Sequence, residues 1–205
     1  ILEEHKVTFL FWVPTIMVNI ANMDLLSSIQ LPALKTVWFA GEVFPTKQFN
    51  YWRKMLPQTT FANLYGPIEI TLDCTCFIVN REIKDEESIP IGFPCRNTDI
   101  LILDADNKLV AEAGKEGELC VRGTSLAMGY YNNPEKTASA FVQNPLNHAY
   151  PETIYRTGDV VVINERGEIV FKGRKDTLIK HMGYRTELGE IEHIIINKLK
   201  LVKNG

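Results

Sequence analysis

Apolar residues in the first third of the chain follow two spacings, one typical of buried strands and one typical of amphipathic helices. Short apolar runs predict strands over residues 7–13, 35–40 and 59–65, and the intervening segments 14–26 and 45–56 predict helices. The first helix opens with Pro14, a residue that suits the first helical turn. Strands separated by helices of this length are typical of a parallel sheet, so this region predicts part of an α/β fold.

After about residue 70 the pattern changes to short β-type runs separated by polar turns such as DADN, AGKEG and NERG. These runs predict an antiparallel, barrel-like region, in which helical character is limited to NPEKTASAF, residues 133–141. From Asp176 the chain continues into residues 187–200, where apolar residues recur at helical spacing. Because a lone helix with an apolar stripe needs a partner surface, the chain is expected to end inside a further domain.

These changes of pattern predict three regions within an α/β fold that contains α+β elements. Residues 1–75 are expected to form part of an α/β sheet subdomain, residues 76–175 a distorted β-barrel, and residues 176–205 a hinge and the truncated start of a C-terminal domain. The chain begins at Ile1 rather than at methionine, which suggests a piece of a longer protein.

Composition limits the classes of protein that the sequence can represent. Its 205 residues carry a formal net charge of -3, with 45% hydrophobic and 23% charged residues, as is typical of a soluble globular protein. Lysine and arginine are spread without a basic block, which argues against a nucleic-acid partner. The longest apolar run near the start, residues 7–21, contains Pro14 and Asn19 and is short for a membrane span. We therefore expect a cytoplasmic protein with no membrane span.

The segment NLYGPIE, residues 63–69, ends a predicted strand and combines groups that suit a nucleotide. Tyr65 can stack on a purine, Asn63 can hydrogen-bond the exocyclic amine edge, and Gly66 lets the backbone approach phosphate. Glu69 can hold Mg²⁺ as a hard oxygen ligand. Taken alone, the segment favours a plainer interpretation, a strand that ends in a Gly-Pro turn.

The segment YRTGD, residues 155–159, places Asp159 after a Thr-Gly turn between two predicted strands. From such a position a carboxylate can accept hydrogen bonds from both hydroxyls of a ribose. Arg174, past another glycine, can reach a ribose or a phosphate as a multi-donor cation. The plainer interpretation is a β-hairpin with charged turns. A further segment, GELCVRGTSLAMGYY, is weak on its own because glycines are common at sheet corners.

In their order and spacing these segments resemble the adenylate-forming enzymes, which include amino-acid adenylation domains, D-alanine–carrier protein ligases, acyl-CoA synthetases and luciferases. The matching segments run from FAGEVFP through NLYGPIE, GELCVRGTSLAMGYYNNPEKTASAF and YRTGD to GRKDTLIKHMGYRTELGEIE, so the resemblance covers nearly the whole chain. It implies an AMP-forming ligase that uses ATP and Mg²⁺ to activate a carboxylate, releases pyrophosphate and passes the acyl group to a thiol.

The resemblance also implies roles for individual residues around the nucleotide. Tyr65 would be the ring that stacks on adenine, Asp159 would bind the ribose, and Glu69 would contact Mg²⁺. The residues implied for nucleotide binding are Gly41, Glu42, Asn63, Leu64, Tyr65, Gly66, Pro67, Ile68, Asp159, Phe171, Gly173 and Arg174.

Residues toward the end of the chain match the family's moving parts. Asp176 matches the hinge about which the C-terminal domain rotates between the two half-reactions. Lys180 is implied as a catalytic residue, since it belongs with Gly183 and Arg185 to the loop that approaches the site during thiol transfer.

One departure and two absences bear on activity. Ile68 stands where the family's YGPTE segment has threonine, so a hydroxyl that would contact phosphate is missing. Losing such a bond costs about 1–3 kcal/mol if a buried partner is left unpaired, and Thr71 is close enough in sequence to compensate. The sequence also lacks the family's glycine- and hydroxyl-rich phosphate loop and its C-terminal lysine. By itself the chain is therefore not expected to complete catalysis.

The details resemble the amino-acid-activating branch more than the acyl-CoA branch, and GEVFP, SIPIGFP and DADNKLV resemble D-alanine–carrier protein ligases in particular. The implied partners are a small amino acid or other carboxylic acid, and a carrier protein with a phosphopantetheine arm or coenzyme A. By family position Ala40 and Leu72, with Leu64 and Trp38, would line the substrate pocket. The alternatives are an acyl-CoA synthetase and a non-catalytic nucleotide-binding relative, which Ile68 favours.

Overall fold

The computed structural model describes residues 1–176, 178–181, 184–188, 191 and 194–199. Its first sheet contains five strands in chain order, of which the first three are parallel and the last two antiparallel to their neighbours. The strands are β1 (Phe9–Trp12), β2 (Thr36–Ala40), β3 (Thr60–Tyr65), β4 (Thr75–Ile78) and β5 (Phe93–Pro94).

Two helices, α1 (Pro14–Asn22) and α2 (Thr46–Met55), cover one face of this sheet. The buried core between the helices and the sheet includes Phe39 and Phe61 from the strands. The two helices are joined by a hydrogen bond of 2.9 Å from the indole nitrogen of Trp52 in α2 to the Met17 carbonyl in α1. The helix predicted over residues 14–26 is shorter than expected, because Asp24 takes a left-handed conformation and a 3₁₀ turn follows.

The other face of the first sheet carries exposed aromatic residues. Phe9, Phe11 and Trp38 are 46%, 40% and 38% exposed, and their rings pack edge to face. The prediction of a buried strand over residues 7–13 is therefore wrong for Phe9 and Phe11, which are exposed. β1 buries Leu10 against the helices, while alternate side chains point to the opposite face, as strand geometry requires.

A second, antiparallel sheet follows, in the order β10-β9-β7-β6 with β8 paired to β9. Its strands are β6 (Thr98–Leu103), β7 (Glu116–Gly123), β8 (Phe141–Gln143), β9 (Thr153–Ile163) and β10 (Ile169–Arg174), and the helix α3 (Pro134–Ala140) precedes β8. This sheet is curled into a half-barrel, so the predicted α/β fold with a barrel-like second part is confirmed.

Beyond the second sheet, β11 (Leu178–His181) and β12 (Tyr184–Glu187) form a hairpin. The helix predicted over residues 187–200 falls partly outside the described residues, which include a π-helical turn over Ile194–Lys198. Among the described residues, no helix has the length and apolar character needed to cross a bilayer.

The two sheets meet where Gly92, just before β5, forms a β-bridge with Ile169 at the start of β10. Nearby, Arg81 reaches from the segment after β4 to Glu168 in the turn before β10, with a closest contact of 2.8 Å. These contacts bring the carboxyl end of β3 close to β9 and β10 of the second sheet.

Candidate functional site

A cavity of ≈ 660 Å³ lies between the two sheets, at the carboxyl ends of β2 and β3. Most of the residues predicted to bind the nucleotide line it, together with the predicted hinge residue. These are Gly41, Glu42, Asn63, Leu64, Tyr65, Gly66, Asp159, Phe171, Gly173, Arg174 and Asp176. Clefts at the carboxyl ends of parallel strands are common ligand sites in α/β folds.

The predicted ribose residue, Asp159, holds a central position in the cavity wall. Its side chain is buried, one carboxylate oxygen accepts a hydrogen bond from the Tyr65 hydroxyl, and the other accepts from Nη1 of Arg174 at 2.5 Å. Burial, helped by the negative charge of Asp159, raises the pKa of Tyr65 well above its usual value. The phenol therefore stays protonated and continues to donate at neutral pH.

Arg174 joins this carboxylate to the predicted hinge residue. Its Nε and Nη2 atoms donate to the two oxygens of Asp176 at 2.7 and 2.6 Å. Burial acts to lower the pKa of Arg174, but the hydrogen bonds and charges of Asp176 and Asp159 outweigh it and raise the pKa above its usual value. Arg174 is therefore a fixed cation between two carboxylates.

The predicted adenine wall is formed by the ends of β2 and β3, and Phe171 of β10 lies beside it. The rings of Tyr65 and Phe171 lie 6.5 Å apart between centroids, at an interplanar angle of 38°. The amide of Asn63 donates to the Pro90 carbonyl at 2.8 Å, which fixes the orientation of this side chain. Glu42 accepts hydrogen bonds from the backbone and hydroxyl of Thr15, at 2.9 and 2.6 Å, at the start of α1.

The loop after β3 carries the residues predicted to contact phosphate and metal, Ile68 and Glu69. Ile68 begins a 3₁₀ turn and is 78% exposed, whereas Glu69 is buried and its carboxylate accepts a hydrogen bond from the Tyr130 hydroxyl at 2.7 Å. The hydroxyl of Thr71, considered as a substitute for the missing threonine, donates to the Ser125 carbonyl at 2.8 Å. Pro67, Ile68 and Glu69 do not line the cavity, whose lining in this loop ends at Gly66.

The residues predicted for the substrate pocket are spread along this end of the sheet. Leu64 lines the cavity, and Ala40 pairs with it at the ends of β2 and β3. Trp38 lies on the open face of the sheet, and Leu72 is 59% exposed in the loop after β3.

Two of the predicted thiol-transfer residues, Lys180 and Arg185, lie in the β11–β12 hairpin. Lys180 pairs with Arg185 in the backbone register of the hairpin. Gly183 lies outside the described residues, so its prediction cannot be placed in the fold.

Two functional candidates were missed by the sequence reasoning. Glu118 contacts the Asp159 turn, and Tyr130 donates to Glu69. Both lie in GELCVRGTSLAMGYY, where the signal for Glu118 is a glutamate directly before the apolar run of residues 119–121. Within the described part of the chain, no group of three or more His, Cys, Asp or Glu residues is arranged to hold a metal ion.

Comparison with known proteins assigns the class to which this fold and cavity belong. A family model described as AMP-binding enzyme matches residues 1–131, which is more than half of the chain. The chain therefore belongs to the AMP-binding enzyme family, and the predicted membership of that superfamily is confirmed.

Individual relatives match nearly the whole chain. It is 36% identical over 200 residues to zwittermicin A synthase ZmaJ from Bacillus cereus, a match that covers 95% of this chain and 37% of the relative. It is 35% identical over 193 residues to the L-proline--[L-prolyl-carrier protein] ligase of Streptomyces coelicolor, covering 93% of this chain and 35% of the relative.

A solved structure shows the same fold. The Vibrio cholerae adenylation domain AlmE, in complex with glycyl-adenosine-5'-phosphate, matches with a TM-score of 0.85 and 30% identity, covering 95% of this chain and 36% of that chain. The present chain thus spans little more than a third of the length of the relatives named.

Proposed function

We propose that the chain is the nucleotide-binding part of an ATP-dependent, amino-acid-activating ligase. In the first half-reaction a carboxylate oxygen of the amino acid attacks the α-phosphorus of ATP, and the bond to pyrophosphate breaks. In the second, the phosphopantetheine thiol of a carrier protein attacks the acyl carbon, and AMP leaves. The observation that carries the proposal is the buried carboxylate of Asp159, held by Tyr65 and Arg174 at the wall of a nucleotide-sized cavity.

The geometry gives each of these groups a function toward the nucleoside. Asp159 lines the cavity, and its carboxylate is the group proposed to accept the two ribose hydroxyls, as an ionised carboxylate acts only as an acceptor. Phe171 and the Tyr65 ring supply aromatic surface for adenine, and Gly41, with φ of 92°, leaves the end of β2 without a side chain. These groups bind and orient the nucleoside so that its α-phosphate faces the amino acid.

Mg²⁺ would be held by Glu69, which is the predicted metal residue. In nucleotide sites this ion takes one or two protein carboxylates and completes its shell with phosphate oxygens and water, so one glutamate suits that role. When bound there, the ion would offset the charge of the phosphates. The hydroxyl of Tyr130 holds the Glu69 carboxylate in one orientation.

Similarity to named relatives supports an amino acid as the substrate and a carrier protein as the acceptor. One relative is named as an L-prolyl-carrier protein ligase, and the AlmE structure contains glycyl-adenosine-5'-phosphate. We therefore propose a small amino acid as the substrate. The resemblance to D-alanine–carrier protein ligases stays a prediction, and the residues proposed to line the pocket are Ala40, Leu64 and Leu72.

A non-catalytic nucleotide-binding relative is the second candidate. It is favoured by Ile68, which is 78% exposed on the loop where the family has a hydroxyl. A protein of this kind would keep the nucleoside contacts of Asp159 and lack adenylation.

ATP–pyrophosphate exchange on the full-length protein tests the proposal. With D- and L-amino acids and simple carboxylic acids as substrates, we expect exchange that depends on one small amino acid. Asp159→Asn should lower exchange at least tenfold through KM for ATP, since a charged hydrogen bond is worth about 1.5–3 kcal/mol. Asp106→Asn, on an exposed turn, is the control and should leave exchange unchanged.

The other outcomes separate the alternatives. Exchange only with carboxylic acids that lack an amine would assign the protein to the acyl-CoA synthetases. Binding of AMP without exchange for any acid would support the non-catalytic relative.

A further inference from the structure

The strand that carries Asp159 bulges where it passes β7. Glu118 pairs with Val160 and Cys120 pairs with Arg156. One residue of β7 therefore lies between these two pairs, opposite three residues of β9. β9 therefore holds two extra residues at this point, in the Thr-Gly-Asp segment 157–159. A bulge of this kind re-aims side chains, and here it turns Asp159 toward the cavity.

The bulge removes ordinary ladder bonds, and side chains replace them. The backbone N–H of Gly158, whose φ is 73°, donates to Oε1 of Glu118 at 3.1 Å. The Thr157 hydroxyl donates to the Leu119 carbonyl at 2.7 Å and accepts from the backbone N–H of Asp159 at 3.0 Å. The Glu118 carboxylate is thus the partner that β7 provides for the turn of the bulge.

The second oxygen of Glu118 is held by two cations. It accepts from Nε and Nη2 of Arg156, at 2.9 and 2.7 Å, and from Nζ of Lys175 at 3.2 Å. Burial acts to raise the pKa of Glu118, but the hydrogen bonds and charges of Arg156 and Lys175 outweigh it, so the pKa lies below its usual value. The carboxylate is therefore ionised and fully bonded although only 5% of the residue is exposed.

The same carboxylate also contacts the segment that carries Arg174. Lys175 lies between Arg174 and Asp176, and its backbone N–H donates to the Gly158 carbonyl at 2.8 Å. Glu118 therefore contacts both segments that carry the Asp159 and Arg174 side chains.

We propose that Glu118 is a positioning residue for ribose recognition. Its carboxylate fixes the bulge at residues 157–159 and so sets the orientation in which Asp159 meets the two ribose hydroxyls. The inference rests on the proposed function, which assigns the ribose to Asp159. Glu118 itself lies behind the cavity wall and does not line the cavity.

The experiment measures the affinity of the full-length protein for AMP and for 2',3'-dideoxy-AMP by isothermal titration calorimetry. The wild-type protein should prefer AMP by about tenfold or more, since the analogue lacks both ribose hydroxyls. In Glu118→Gln an NH₂ group replaces one carboxylate oxygen. This group can only donate, and it would face the N–H groups that donate to Glu118 in the wild-type protein. We expect this variant to bind AMP about tenfold more weakly and the analogue almost unchanged, so that the preference is lost.

Glu116→Gln is the matched control, because it makes the same change at an exposed position of the same strand. Lys175→Gln is a second variant, which removes one of the two cations that hold Glu118. Because the Lys175 side chain is 46% exposed, this loss should reduce the preference for AMP over the dideoxy analogue by only about two- to threefold. This smaller change tests the same carboxylate if Glu118→Gln does not fold.

Several results would overturn the inference. Equal weakening of both nucleotides in Glu118→Gln would show a general structural role, and an unchanged preference in both variants would show no role. A wild-type protein that binds AMP and the analogue equally would instead refute the assignment of the ribose to Asp159, and the inference with it.

Discussion

Tyr65 combines an aromatic surface with a hydroxyl that holds a buried carboxylate. Tyr65→Phe keeps the ring and removes the hydrogen bond to Asp159, which is 3% exposed. We expect the free energy of unfolding to fall by about 1.5–3 kcal/mol, because the bond is made to a charged group. Urea denaturation measures this loss, and Tyr131→Phe, at a fully exposed position, is the control. An equal effect in both variants would contradict a special role for the Tyr65 hydroxyl.

Ile68 is the residue at which the chain departs from its family in the nucleotide loop. Since its side chain is 78% exposed, replacing it with threonine should not disturb the core. If the loop contacts phosphate, Ile68→Thr should raise kcat/KM for ATP several-fold, up to about tenfold for one recovered hydrogen bond. Ile78→Thr, also at an exposed position, should leave the kinetics unchanged. No gain at position 68 would show that the hydroxyl is not needed in this protein.

At the scale of elements, the loop after β3 depends on the close approach of two backbone segments. A Cβ added at Gly66 would lie within 2.9 Å of the Cys74 nitrogen and closer still to the backbone of Leu72 and Asp73. Relief of this clash must move the loop, and with it the cavity wall that Gly66 lines. Glycine is therefore required here because of the space and not because of its φ angle.

The prediction for Gly66→Ala is a loss of several kcal/mol in the free energy of unfolding, together with weaker AMP binding. Gly114→Ala is the comparison, since position 114 has a φ of 80° but open space around the added methyl group. That variant should lose only about 1–2 kcal/mol, the cost of left-handed backbone for a residue with a Cβ. Thermal denaturation and calorimetry of AMP binding measure both effects, and equal losses would argue against the clash.

At the scale of the whole molecule, the two sheets are joined by a cluster of charges near the cavity. Arg81 donates to Glu168 at 3.1 and 2.8 Å and to Glu87 at 3.1 and 2.5 Å. Its hydrogen bonds are the main cause that lowers the pKa of each carboxyl group from a usual value of 4.5. The cluster therefore couples the association of the sheets to pH.

The direction of this coupling follows from the lowered pKa values. Both carboxylates stabilise the fold above their unfolded pKa and lose that contribution as the pH falls through the lower, folded value. Arg81→Met should lower the free energy of unfolding by about 2 kcal/mol at neutral pH. The difference from wild type should shrink below about pH 4. Urea denaturation as a function of pH tests this, with Arg96→Met, an exposed arginine, as the control. A difference that does not change with pH would show that Arg81 acts through packing alone.

Local features of the sequence determined the order and type of most elements. Apolar spacing of two and of 3.6 residues distinguishes β2 and β3 from α2, and polar turns separate the strands of the second sheet. The order of short segments also indicated the family, and it brought Tyr65 and Asp159 forward as candidates. This information is local, because each pattern depends on residues that are neighbours in the chain.

Only the tertiary structure decided which of these residues work together. Tyr65 and Asp159 are 94 positions apart, and the hydrogen bond between them exists because the end of β3 and the bulge in the middle of β9 meet at the same cavity. The bulge that turns Asp159 inward, and the carboxylate of Glu118 that completes it, depend on the register between β7 and β9. A register is set by packing across whole sheets, so no short segment of the sequence contains it.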